Sequence, residues 1–111
     1  MSLSKRLNAT VANNEDNRVV VHDPFAKRLM VRYLSRREDD IHSLRSALAS
    51  DDFDSIRDTG HNLFGSGSAY GLDRISELGA ALEKTAMKKD CDAVDELIDT
   101  LEAFVSNVRV I

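Results

Sequence analysis

Apolar residues recur along most of this chain at the three- and four-residue spacing that gathers them on one face of an α-helix. The punctuation starts at Asp23-Pro24, a cap followed by proline at the first helical position. Phe25, Leu29 and Tyr33 then predict a short helix over about 24–34. Ser35-Arg36-Arg37-Glu38 has the S-x-x-E form of a capping box and predicts the start of a second helix, with Ile41, Leu44 and Leu48 as its stripe and an end near Ala49. Asp52 caps a third helix that reaches about Ala69, and Gly71 suits the left-handed position that stops it. Leu72, Ile75, Leu78, Gly79, Leu82 and Ala86 share one face of a fourth. Asp90 caps a fifth, in which Val94, Leu97, Ile98, Leu101, Phe104, Val105 and Val108 give the cleanest periodicity. No strand pattern of useful length is present, and Val19-Val20-Val21 is too short to build a sheet alone. Residues 1–22 predict a flexible lead with a short segment packed on the domain. Short connections make neighbouring helices antiparallel. The expected fold is therefore all-α: an up-down-up-down four-helix bundle over residues 23–111, with the short first helix as an additional N-terminal element at one end.

Composition agrees with one helical domain. The chain has 111 residues, 42% of them hydrophobic, with a single proline, five glycines and no tryptophan. The net charge of −4 argues against nucleic acid as a partner, but the charge is unevenly placed. Residues 1–37 carry eight Lys/Arg against three acids, and residues 38–111 carry seven against sixteen. This split reads as an acidic solvated bundle with a basic lead-in, or as a means of steering a partner toward one end. The lone Cys91 allows no internal disulfide and fits a reducing compartment. No apolar run approaches a membrane span, and Lys5-Arg6 is not followed by the apolar stretch of a signal peptide. A cytoplasmic protein without membrane association is expected, and a monomer, since one chain can bury all its stripes.

One histidine stands apart. At about 100° per residue, Ile56, Leu63, Gly67 and Tyr70 cluster on one face of the third helix, and His61 lies roughly 150° from their centre. The imidazole is thus expected to face solvent. Gly60, Gly65 and Gly67 flank it within eight residues, at a cost to the helix of roughly 2–3 kcal/mol relative to alanine. Gly67 falls on the core face, where close helix packing explains it. Gly65 lies about 40° around from His61, one turn on, and is expected to open an approach to the ring. Arg57 is one turn before His61 and Ser68 two turns after it, placed to hold phosphoryl oxygens. Arg57 reads equally well as a surface ion-pair partner of Asp54 or Asp58. An imidazole with an ordinary pKa near 6.5 is largely neutral at pH 7, which leaves one ring nitrogen nucleophilic.

Asp52 to Glu83 resembles the histidine-containing phosphotransfer (HPt) domain. That family's pattern is an Asp cap, nine residues to the histidine, H-x-L-K-G-S-x-x-x-x-G, and then a helix reaching a Leu-Glu pair. Asp52, His61, Leu63, Gly65, Ser66, Gly71 and Leu82-Glu83 fall in that register, and the match of elements covers about residues 24–108. The resemblance implies a phosphorelay carrier of two-component signalling. His61 would be phosphorylated on Nε2 by a receiver-domain aspartate and would pass the group on, with Glu83 bonded to the other ring nitrogen. Gly65, Asn62 and Phe64 would belong to the partner-docking face. Phe64 departs from the pattern, which has lysine there. Arg57 is the expected substitute for that lysine's charge, and Phe64 an apolar contact for the receiver.

The implied partners are response-regulator receiver domains and a hybrid sensor histidine kinase. No cofactor is expected on this chain, Mg²⁺ belonging to the receiver. The alternative is a non-phosphorylated helical adaptor that binds receivers or kinases. No independent ATP-dependent kinase activity is expected: Gly65 to Gly71 lacks the spacing of a phosphate-binding loop and of a nucleophile elbow. No metal site is expected either, because His22, His42 and His61 lack metal-ligand spacing. His42 reads as an exposed helix residue near the docking face.

Overall fold

The computed structural model describes the backbone of residues 10–13 and the whole of residues 18–111. Four helices make the bundle: α1 (Pro24–Ala49), α2 (Phe53–Gly67), α3 (Asp73–Met87) and α4 (Cys91–Asn107). Three-residue turns join α1 to α2 and α3 to α4, and a 3-10 turn, Ser68–Tyr70, follows α2. Each helix packs on its neighbour in sequence, and α1 meets α4 to close the ring. Met30, Leu44, Ile56, Leu63, Leu72, Ile75, Leu82, Val94, Ile98 and Leu101 fill the centre at 2% exposure or less.

The expected separate helix over 24–34 does not exist. α1 is one helix of 26 residues, and Ser35 to Glu38 lies within it. Met30, Tyr33 and Leu34 are buried ahead of this segment, and Ile41 and Leu44 after it. One apolar stripe therefore runs through the S-x-x-E sequence. With no glycine or proline between Phe25 and Ala49, nothing forces the helix to restart there. The other caps lie where the sequence placed them. Asp23 accepts from Phe25 N at 3.1 Å, Asp52 from Ser55 N at 3.2 Å and Asp90 from Ala93 N at 3.1 Å. Ser55 Oγ also donates to Asp52 at 2.7 Å, and these bonds hold the Asp52 carboxyl below its ordinary pKa. Gly71, at φ 76°, takes the left-handed position after the 3-10 turn.

Where the lead is described, it pairs as strand, which the sequence did not show. β1 (Thr10–Asn13) runs antiparallel to β2 (Arg18–Val21), and β2 pairs in parallel with β3 (Arg109–Val110). The expected flexibility of residues 1–9 and 14–17 lies outside the described residues. Val19 and Val21 are buried at 2% and 5% exposure and join the core. The valine run needs no long strand of its own, because its second partner comes from the far end of the chain. Across the bundle, Arg45 of α1 binds Asp99 at 2.9 Å and Glu102 at 2.6 Å on α4. Among the described residues no helix is long and apolar enough to cross a membrane.

Candidate functional site

His61 stands on the outer ridge of α2 with its side chain 68% exposed. What holds it is set by the packing of α2 on α3. A Cβ built at Gly60 would lie 2.7 Å from the Gly79 carbonyl oxygen and 2.8 Å from Glu83 N. One built at Gly79 would lie 2.5 Å from Phe64 N and 2.6 Å from Gly60 O. The atoms in the way are backbone, so only glycine permits this approach. Gly67 continues the same seam, its Cβ position being 2.5 Å from Ser76 N. With α3 this close, Glu83 reaches over the edge of α2. Its Oε2 lies 3.4 Å from His61 Nδ1. This is an electrostatic contact just beyond ordinary hydrogen-bond length, and it is made by Nδ1.

Gly65 behaves differently from the other α2 glycines: a Cβ there would meet nothing within 4 Å. Phe64, on the α3 side of His61, is 51% exposed. Asn62 is exposed on the opposite side of the ridge.

Two sequence-derived candidates have side-chain partners other than the imidazole. Arg57 Nε has Asp58 at 3.9 Å as its ion-pair partner, one of the two alternatives read from the sequence. Ser68 lies about 10 Å along the helix axis from His61, since seven residues rise 1.5 Å each. Its hydroxyl donates to Ser76 Oγ at 3.1 Å, and its N–H to the same oxygen at 2.8 Å. Ser76 Oγ in turn donates to the Phe64 carbonyl at 2.8 Å. Ser68 therefore ties down the end of α2. His42 is exposed further along α1, where it borders a shallow hollow beside Arg45.

On the other side of α2 a groove of about 480 Å³ opens toward α1, lined by Asn62, Ser66, Tyr33, Arg32, Arg36 and Arg37 among others. Sequence reasoning missed it. Tyr33 forms a hydroxyl–hydroxyl hydrogen bond with Ser66 Oγ at 2.8 Å and stacks on Tyr70 with ring centres 4.1 Å apart. The Arg37 guanidinium covers the Tyr33 ring at 4.1 Å. Its Nε lies 2.9 Å from Asp40 Oδ2, yet makes no aligned hydrogen bond although buried. Burial raises the Asp40 carboxyl above its ordinary pKa, against the lowering effect of Arg37. The available signal was Arg32 and Arg36, like charges one turn apart in a stretch, Pro24 to Arg37, that holds no acid. Among the described residues, no group of three or more His, Cys, Asp or Glu side chains is arranged to hold a metal ion.

Residues 28–107 match the family model described as the Hpt domain. That span takes in α2, α3, α4 and nearly all of α1, and so His61, Glu83 and the groove. No curated protein and no solved structure matches the chain.

Proposed function

The chain belongs to the Hpt domain family, whose members act in phosphorelay signalling, and from that premise we propose that it is a phosphocarrier with His61 as the transferring residue. The single observation that carries this reading is the exposed imidazole with the Glu83 carboxylate 3.4 Å from Nδ1, an arrangement that favours a proton on Nδ1 and a lone pair on Nε2. The Nε2 lone pair attacks the phosphorus of a receiver's aspartyl phosphate. An N–P bond forms as the P–O bond to aspartate breaks, and that electron pair leaves with the carboxylate. Nδ1 keeps its proton, so the phosphorylated ring carries a positive charge opposite the Glu83 carboxylate. In the forward transfer, a second receiver's aspartate attacks phosphorus, and the imidazole leaves neutral with its Nδ1 proton in place. Glu83 is a positioning residue that fixes the tautomer and supports the cation. The receiver supplies the aspartate and its Mg²⁺.

Incubation with a receiver domain phosphorylated by acetyl phosphate tests this directly. Acid-labile, alkali-stable label on the wild type, absent from His61→Gln, is the expected result. One observation favours the adaptor alternative: Phe64 presents a half-exposed ring where the family pattern has lysine. Receiver binding without label in either protein would establish the adaptor and reject the carrier.

A further inference from the structure

The groove between α1 and α2 has no part in orienting His61, yet its charge is distinctive. Its lining includes three guanidinium groups and no carboxylate. Arg37 is engaged with Tyr33 and Asp40. Arg32 and Arg36 are exposed and make no ion pair among the described residues. They sit one turn apart on α1, so their charges add on one side of the groove. The residues from Pro24 to Arg37 include five Lys/Arg and no acid, so the basic excess read from the sequence is concentrated here.

The aromatic rings do not make this a nucleobase site. Tyr33 has Tyr70 on one side and Arg37 stacked over its ring, and its hydroxyl is taken by Ser66. What remains on offer is positive charge, with the Asn62 amide at the mouth.

Position decides the occupant. A protein face centred on His61 that buries about 800 Å² covers a disc of roughly 16 Å radius. Packed helices lie about 8–10 Å axis to axis. Asn62 is the next residue after His61, and the arginines line the same groove as Asn62. Any protein that reaches His61 in a standard-sized interface therefore lies over the groove.

We propose that Arg32 and Arg36 form an acid-recognising docking site beside His61, taking carboxylates on the face of the protein that exchanges phosphoryl groups with it. The inference rests on the phosphocarrier reading and adds the source of docking charge. That charge comes from α1, across the groove, instead of from α2 at position 64. Its effect is on encounter and partner choice, not on the chemistry at Nε2.

The test uses the receiver domain, phosphorylated with acetyl phosphate, that labels His61 fastest among a panel. Association rates are measured by stopped flow at 50 and 300 mM NaCl. R32E/R36E is compared with wild type and with K88E/R109E, which changes net charge equally outside the groove. The expected result is association slowed about tenfold or more at low salt in R32E/R36E alone, a smaller gap at high salt, and an unchanged final extent of labelling. R32Q/R36Q should lie between. Circular dichroism checks that each variant is folded. Equal slowing in K88E/R109E, or unchanged rates in R32E/R36E, would overturn the proposal. So would a wild-type dimer in sedimentation that R32E/R36E dissolves, since the groove would then hold a second copy. Absence of label from wild type with every receiver is a different result, and rejects the phosphocarrier reading itself.

Discussion

The two flanks of α2 are built on opposite principles. Toward α3 the helices close on each other through Gly60, Gly67 and Gly79 until backbone nearly touches backbone. Toward α1 they stand apart over a groove of about 480 Å³, joined by the Tyr33–Ser66 hydroxyl bond. His61 stands on the ridge between them. The closed flank brings Glu83 to within 3.4 Å of the imidazole, while the open flank presents cations and an amide. Accuracy at a reacting atom needs packing that cannot shift, whereas recognition of a second protein needs surface left unfilled. One helix serves both because its small residues are distributed around it unequally.

Substitutions that close the gap between the flanks test this contrast. The largest stability effect is expected at Gly79→Ala. A methyl group 2.5 Å from Phe64 N forces the helices apart, since no rotamer change can relieve a clash with backbone. A net loss of roughly 2–3 kcal/mol, on the order of 10 °C in Tm, should remain after the propensity gain of alanine over glycine. Thermal unfolding would measure it, and a melting point equal to wild type would show that the seam is not closed as described. Glu83→Gln should slow labelling of His61 by about 10–100-fold, on the order of 1.5–3 kcal/mol, as the carboxylate facing the charged phosphorylated ring is lost. It should leave receiver binding unaffected and alter the pH–rate profile, which a merely structural role would not do. On the open flank, Tyr33→Phe removes one partly buried hydroxyl bond and should cost only about 1 kcal/mol in denaturant unfolding. Smallest is Gly65→Ala. The new methyl meets nothing, so stability should rise by up to about 1 kcal/mol. A destabilised Gly65→Ala would put that residue with the seam.

Much of this was legible in the sequence. Periodicity located the core stripes, and Asp23, Asp52 and Asp90 marked helix starts because capping is a local interaction written in adjacent residues. The outward direction of His61 followed from helical angle alone. What the sequence did not show depends on contacts between distant segments. Ser35 to Glu38 looked like a helix start because its neighbours on the stripe were judged in two pieces. The valine strand had no visible partner because Arg109-Val110 lies at the other end of the chain. Ser68 was placed by azimuth, which is blind to Ser76 coming across from α3. The groove was missed because it belongs to no single element. Azimuth also separated Gly65 from Gly67, but the demand that Gly60 meets became visible only with Gly79 opposite it.

The parallel pairing of β2 with β3 has a consequence for the order in which the molecule assembles. Arg18 meets Arg109, so the two strands close a loop spanning nearly the whole bundle. Closing a loop of about 90 residues in an unstructured chain costs roughly 4 kcal/mol in entropy, more than a two-residue ladder returns. The helices must first draw the start of α1 and the end of α4 together. The strand pair then forms at little further loss. Protection of the Ile111 amide, which donates to the Val19 carbonyl at 2.8 Å, should therefore track the integrity of the bundle. This short strand pair thus serves as a gauge of whether the helices are assembled.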